Sequence, residues 1–302
     1  MVHVEVFQVT IPLPDRSTAA QGAAFEAALR IALVRATGSA RAGEEAALAP
    51  LLGNARRYVQ QYRTTADNEL AVTFDGAAIE RWLTQNGQPL WGQDRPSTYV
   101  WLSVGANGQP STILSADDTS ELKTAIDAEA MRRGIPLVWP SAETAAAGAT
   151  SAPGANPADI GHRLGAEALL VGHANATVAG AALRWTLQFQ GNSSEFSGAL
   201  EGVDHAADLY AGIYAASGSL APVDIEVAGV QDVKQYAAMQ NYLAAFSFVS
   251  VVGVSALSTD GVRFHLLTRG GIEALQHAIA LNGRLQSIAP GENGIARFQV
   301  GP

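Results

Sequence analysis

The chain has 302 residues, of which 48% are hydrophobic and 16% are charged, with a net charge of −9 and no cysteine. This composition supports buried cores and excludes a disordered chain. The negative charge disfavours nonspecific binding to nucleic acid and adhesion to an anionic membrane. The lack of cysteine excludes disulfides, thiolate metal sites and a cysteine nucleophile. At about 100 to 200 residues per domain, this length predicts two or three domains.

The first predicted module covers residues 1–95. A strand with near-alternating valines is predicted over residues 2–11, and a helix with Phe25, Leu29 and Leu33 on one side follows it. An apolar stripe at helical spacing predicts a second helix that runs from Leu48 to Tyr62. The segment ELAVTFD predicts a strand, and a short helix ends at Gly87. The predicted order is β-α-α-β-α.

The second predicted module covers residues 96–218 and alternates strands with helices, which indicates a sheet packed by helices. An apolar strand over 99–104 opens it, and a helix capped by Thr119 or Ser120 ends at Gly134. The small, polar residues 141–157 predict a flexible loop. A helix, three further strands and a closing helix complete the module. It holds 5 basic and 12 acidic side chains, so it carries most of the net charge.

The third predicted module covers residues 219–302 and has the order β-α-β-β-α-β, which is the ferredoxin-like or split βαβ plan. Asp260-Gly261 predicts a two-residue hairpin turn between its second and third strands. The predicted fold class is therefore mixed α/β (α+β), in three successive modules. The sequence has no apolar run of about 18 residues, so no membrane span is expected.

His173 ends an apolar strand, a position that can present a polar side chain at the carboxyl edge of a sheet. A catalytic histidine needs a nearby nucleophile or carboxylate, and Asp117, Asp159 and His162 stand at element ends of the same module. No spacing matches HExxH, GxSxG or a P-loop. The alternative is structural, since Gly172 is typical of a bulge or a close approach of two backbones. Scattered histidines without an i,i+4 pair predict no metal ion, and no cofactor is expected.

The segment NARRYVQQYR, residues 54–63, is the most concentrated basic stretch of the chain. Its candidate partner-binding residues are Arg56, Arg57, Tyr58, Tyr62 and Arg63. Arginines beside tyrosines can hold a phosphate, a carboxylated glycan or an acidic partner. The alternative is a solvated helix face whose arginines favour the C-terminal end of the helix dipole.

Several segments together suggest a family: EVFQVTIPLPDRS, ALRIALVRATGS, NARRYVQQYR and the run from ELAVTFD to STYVWLSV. They resemble the proteobacterial family called domain of unknown function 2066, closely over residues 4–104 and more loosely beyond. The resemblance implies a periplasmic or envelope protein with no established activity. RLGAEALLVGHA is also similar to a strand of the N-terminal domain of TolB and of the central domain of FlgT. Those modules bind other proteins, and the similarity implies that His173 follows a structural glycine.

These observations lead to a functional hypothesis with two alternatives. The hypothesis is a noncatalytic periplasmic protein that acts by protein binding, as an adaptor or assembly factor with envelope partners. Met1 leads directly into a strand pattern, so we expect either that a signal peptide has been removed or that the protein is cytoplasmic. One alternative is a hydrolase or small-ligand enzyme with a site near His173. The other is a glycan or anionic-polymer binder that uses the Arg56-Arg57-Tyr58 segment.

Overall fold

A computed structural model describes residues 1–105, 111–149, 156–175, 182–230, 232–246, 248–258, 261–282, 284–291 and 294–300. The fold is mixed α/β, as predicted. The chain forms two compact units: Met1–Glu5 with Gln93–Tyr210, and Val6–Gly92 with Ala211–Pro302. Unit one therefore interrupts unit two along the sequence. The division into three modules at residues 95 and 218 stays a prediction. No helix in the described ranges is both long enough and apolar enough to cross a membrane.

Unit one is built on a mixed sheet. Its strands are β6 (Thr98–Gly105), β7 (Thr112–Ile113), β8 (Leu137–Val138), β9 (Ala168–Asn175), β10 (Ala182–Phe189) and β11 (Asn192–Ser197). The strand order is β11-β10-β9-β6-β7, and β8 also pairs with β6. Strand β6 runs parallel to β8 and β9, whereas the remaining pairs are antiparallel. A separate two-stranded ladder joins β1 (Val2–His3) to β5 (Asp94–Arg95).

Helices cover both faces of this sheet. They are α4 (Glu121–Arg133), α5 (Ala142–Ala149), α6 (Pro157–Arg163) and α7 (Glu201–Tyr214), and the last residues of α7 are counted with unit two. A small core against α5 and α6 contains Tyr99, Trp101, Ile113 and Leu169. On the opposite face Trp185 is fully buried. The buried guanidinium of Arg133 ties α4 to α7 through ion pairs with Asp204 and Asp208.

The position of the Trp185 ring explains why residue 172 is a glycine. A Cβ added at Gly172 would lie 2.5 Å from the Trp185 ring and 2.7 Å from Leu102, and one added at Gly202 would lie 2.6 Å from the same ring. The indole therefore fits between two glycines, one on β9 and one on α7. The predicted bulge or close approach of two backbones is therefore not what requires Gly172, because the side chains of Trp185 and Leu102 occupy the place of its Cβ.

The first segment of unit two places a long helix against a three-stranded antiparallel sheet. Its strands are β2 (Gln8–Pro12), β3 (Val59–Thr64) and β4 (Glu69–Phe74), in the order β2-β4-β3. Its helices are α1 (Thr18–Thr37), α2 (Ala49–Leu52) and α3 (Gly76–Gln85). Ser17 caps the start of α1, and Gly38 ends it in the left-handed conformation that is typical of a glycine at the end of a helix. The core between helices and sheet is continuous from Val6 to Leu83.

The second segment of unit two is a five-stranded sheet with two helices. Its elements are β12 (Leu220–Ala228), α8 (Val233–Ala244), β13 (Val249–Ser258), β14 (Gly261–Arg269), α9 (Gly271–Asn282), β15 (Leu285–Ile288) and β16 (Ala296–Val300). The order is β13-β14-β12-β16-β15. It follows the predicted split βαβ plan through α9. In place of one last antiparallel strand, the hairpin β15-β16 inserts β16 parallel to β12.

Several predicted boundaries are wrong. The predicted helix from Leu48 to Tyr62 is a series of short turns around the four-residue α2, followed by β3, because Gly53-Asn54 interrupts the helix and VQQYRT has strand propensity. The predicted first strand is split into β1 and β2. The predicted loop begins with α5, where Ser141 accepts a hydrogen bond from the Thr144 amide and alanines favour helix.

The predicted turn at Asp260-Gly261 falls partly on residue 260, which lies outside the described residues. Gly261 itself is the first residue of β14 and pairs with Ser258. A Cβ at Gly261 would collide with the Val227 carbonyl and lie 2.9 Å from the Ala228 Cα. This glycine is therefore required by the close approach of β12, not by a left-handed turn.

Candidate functional site

The residues Arg56, Arg57, Tyr58, Tyr62 and Arg63 lie along the free edge of one sheet, with Tyr62 towards α1 and Arg63 towards the open face, and we call them the Arg–Tyr surface. They lie on the 3-10 turn Ala55–Tyr58 and on β3, so the prediction that one helix carries them is wrong. The three arginines are exposed, Tyr58 is half-buried against the core, and Tyr62 is 44% exposed. Arg56, Arg57 and Arg63 form no ion pair with a carboxylate in the part of the chain that the structure describes.

Stacking orders the centre of this surface. The Arg56 guanidinium lies 5.1 Å from the ring centroid of Phe25 and 5.2 Å from that of Tyr62. Phe25 and Tyr62 meet edge to face at 5.1 Å between centroids. Phe25 is buried on α1. A cation–π contact at an exposed site contributes about 0.5–1 kcal/mol, so Arg56 is held in place while its charge stays unneutralised.

Strand β3 is an edge strand that is exposed along its length. Beyond Val59 every residue through Thr64 is exposed, and β4 is its partner in the sheet. The Thr65 amide donates to the Glu69 carbonyl, and bonded pairs alternate along an antiparallel ladder. Arg63 and Gln61 therefore bond to β4, whereas the backbone groups of Tyr62 and Thr64 point away from it. An exposed edge of this kind can pair with another strand.

A concavity of about 390 Å³ adjoins this edge. Polar and small side chains on the open face of the three-stranded sheet line it: Gln8, Thr10, Gln61, Arg63, Ala71 and Thr73. The register places Arg63 beside Ala71 and Thr10 in one row across the sheet. A strand added to β3 would place alternate side chains on this face.

His173 has a different neighbour from those predicted. Its Nδ1 lies 2.6 Å from the Oγ of Ser103, which is the paired residue on β6. Among the described residues no hydrogen bond or ion pair joins His173 to Asp117, Asp159 or His162. No group of His, Asp and Glu side chains in the described ranges could hold a metal ion. The enzyme hypothesis stays a prediction. The described residues bring no carboxylate into hydrogen-bond contact with His173 that would orient its ring.

The other residues of the predicted pocket lie elsewhere. Asp117 is in the turn after β7, and Asp159 lies in the first turn of α6. His162, in the last turn of α6, lines a concavity of about 410 Å³ beside Leu169 at the start of β9. At about 3.3 Å per residue, Leu169 and His173 are roughly 13 Å apart along the strand.

Sequence reasoning missed Ser103, although its strand gave a signal. Ser103 is the first polar residue after the apolar run of β6, as His173 is on β9. Both strands run in the same direction, so their carboxyl ends meet at one edge of the sheet. Only the register, which the sequence does not specify, brings these two side chains into contact.

One family model matches the chain: a domain of unknown function, DUF8605, over residues 3–92. The resemblance to domain of unknown function 2066 is therefore wrong, because a different family matches the residues on which it chiefly rested. No curated protein and no solved structure matches the chain, so nothing supports the similarity to TolB or FlgT. The match covers the whole first segment of unit two, including the Arg–Tyr surface.

Proposed function

We propose that the chain is a noncatalytic binding protein that takes an extended, acidic segment of another protein onto the free edge of β3. The observation that supports this most is the position of the Arg–Tyr surface on an exposed edge strand. Strand addition supplies main-chain hydrogen bonds, and neighbouring side chains supply selectivity. A role as adaptor or assembly factor is part of the proposal, and a periplasmic location is a proposal that fractionation of the native cell would test.

Charge determines the kind of partner. No Asp or Glu occurs from Ala46 to Ala66, and this stretch holds three arginines. A partner strand with carboxylates would neutralise exposed guanidiniums, and arginine can bind a carboxylate with two parallel hydrogen bonds. An anionic glycan would meet the same charges but has no peptide main chain to form a β-ladder with the free backbone groups of Tyr62 and Thr64.

Photo-crosslinking can test whether a peptide strand, rather than a glycan, binds at this edge. A photo-crosslinking amino acid at Tyr62, used in the full chain in its native cell, should capture a partner through an acidic extended segment that mass spectrometry can locate. The same group at Leu164, an exposed residue of unit one, is the control. Arg56→Glu with Arg57→Glu should abolish capture, because the charge attraction becomes repulsion.

Proline distinguishes strand addition from simple charge attraction. Thr64→Pro removes an outward N–H and should block capture while the protein still folds, because proline is tolerated on edge strands. Arg63→Pro removes an N–H that bonds to β4 and should lower the melting temperature. If Thr64→Pro captures the partner normally and anionic polysaccharide competes for it, the site is a glycan site and strand addition is wrong.

Loss of the cellular role should follow the same surface. In complementation of a deletion strain, the double charge reversal at Arg56 and Arg57 should fail. His173→Ala should still capture the partner at Tyr62 and keep its melting temperature, because partner binding on β3 does not use His173. Loss of capture in His173→Ala with an unchanged melt would contradict the proposal.

A further inference from the structure

A row of polar side chains crosses four adjacent strands of unit one. The register aligns Ser103 on β6, His173 on β9, Arg184 on β10 and Ser197 on β11. Side chains in one row of a sheet share a face. Ser103 is half-buried, and the other three are exposed. We call these four residues the polar row.

The polar row concentrates donors. If the Ser103 hydroxyl donates to Nδ1 of His173, the Nε2–H of the ring faces outward as a donor. The Arg184 guanidinium adds further donors in a planar arrangement. Ser197 adds a hydroxyl. The row contains no carboxylate that would accept these hydrogen bonds.

Arg184 and Arg163 are the two basic residues between residues 96 and 218 that form no ion pair in the described part of the chain. Lys123, Arg132 and Arg133 each form ion pairs with carboxylates, and acidic residues outnumber basic ones by 12 to 5 between residues 96 and 218. Arg184 forms no ion pair within the described ranges. Glu195 is one row away, beside Thr186, and does not reach it. A guanidinium next to an imidazole gains from an anion that both can contact.

We propose that the polar row is a binding site for a small oxyanion group, either a phosphoryl group or a carboxylate, which Arg184 and His173 hold together. Ser103 acts as a positioning residue because its contact with Nδ1 fixes the ring and leaves Nε2 free to donate. The site shares no residue with the β3 edge, since the two belong to different units.

The test is a titration of the labelled full chain with inorganic phosphate and, separately, with acetate, followed by the ring signals of His173 in NMR spectra. His173→Gln assigns those signals. We expect saturable shifts, and Arg184→Gln should weaken binding about tenfold or more, because a charge-assisted hydrogen bond is lost. Arg163→Gln, an exposed arginine of the same unit, should leave the affinity unchanged.

The two anions identify the group. Saturation by phosphate alone assigns a phosphoryl ligand, and saturation by both ions extends the assignment to carboxylates. Ser103→Ala should weaken binding and change the tautomer reported by the ring nitrogen shifts. The proposal is overturned if neither ion shifts the His173 signals, or if Arg184→Gln binds as the unaltered chain does. Cross-linking at Tyr62 should be the same in Arg184→Gln, which separates this result from the β3 proposal.

Discussion

At the scale of single residues, the most informative position is the pair Gly172-His173. The two residues are adjacent in sequence but have separate roles. Gly172 makes room for Trp185, while His173 contacts Ser103 on the opposite face of the sheet. Neighbouring residues of a strand face opposite ways, so one can be required for packing and the other exposed to ligand.

Gly172→Ala should lower the free energy of unfolding by about 1–3 kcal/mol, since overpacking a filled core forces neighbours to move. Urea unfolding measures this. Gly22→Ala is the contrasting variant: Gly22 is helical, a Cβ there meets nothing within 4 Å, and alanine favours helix, so it should stabilise. An unchanged midpoint in Gly172→Ala would mean that Trp185 is not held as described.

Tyr99 gives a second prediction at this scale. Its hydroxyl is buried and has no hydrogen-bond partner in the described part of the chain, and burial raises its pKa to about 12. Tyr99→Phe should therefore be neutral or stabilising, by about 1 kcal/mol at most, because an unsatisfied buried hydroxyl is removed. Chemical denaturation at pH 7 measures this.

The pH dependence of Tyr99 has a definite sign. The unfolded chain ionises Tyr99 near its ordinary pKa of about 10, whereas the folded chain does so only near 12. Stability should therefore fall as pH rises through this window. The loss of stability between pH 10 and pH 12 should be smaller in Tyr99→Phe. Equal alkaline loss in both proteins would show that Tyr99 is ionised as readily when folded.

At the scale of elements, the five-stranded sheet of unit two has an ion-pair row on its outer face. Glu226 on β12 lies 3.8 Å from Arg263 on β14 and 2.8 Å from Arg297 on β16. Its side chain is 16% exposed, so solvent screens it less than a surface pair. This carboxylate joins the inserted parallel strand β16 to the split βαβ core.

Glu226→Gln should cost about 2 kcal/mol, because it leaves two guanidiniums side by side without their shared anion. Asp224→Asn is the matched control on the same strand and face, since Asp224 and His265 are both well exposed and such pairs contribute little. The comparison is made by thermal and urea unfolding. Equal effects of the two substitutions would contradict the bridging role of Glu226.

Elements with long, regular patterns were predictable from the sequence, and register was not. Helix α1 and the β-α-β-β-α order after residue 219 were predicted because apolar spacing repeats over many residues and Gly38 marks an end. The segment from Leu48 to Tyr62 was wrongly predicted as one helix, because its apolar spacing also fits short turns followed by a strand. The pairing of Ser103 with His173 spans 70 residues in sequence and depends on which strands become neighbours.

At the scale of the whole molecule, unit two is made of two distant stretches of chain. Trp91 is buried, its amide donates to the Ala36 carbonyl, and Leu90 bridges to Ala216. A Cβ at Gly38 would meet both Trp91 and Ala211. The residues that flank the interruption are therefore neighbours within unit two.

A chain that starts at Val6 and joins Gly92 to Ala211 through a short glycine-serine linker should fold as unit two alone. We expect one cooperative thermal transition and blue-shifted tryptophan emission, because Trp91 is buried and Trp82 is half-buried. The same chain with Gly38→Val is the control, and it should unfold because valine is strained at a φ of 78° and collides with Ala211. Red-shifted emission in the parent chain would show that unit two needs unit one.

The interruption also delays the completion of unit two while the chain is being synthesised. The core from Val6 to Leu83 can collapse as soon as it leaves the ribosome, but the strands that complete unit two are encoded after Tyr210. At about 5–20 residues per second, roughly 6 to 24 seconds separate the two stretches. During that interval the surface around Ala36, Gly38 and Trp91 is exposed to solvent. This surface is the part of the nascent chain to which we expect a chaperone to bind.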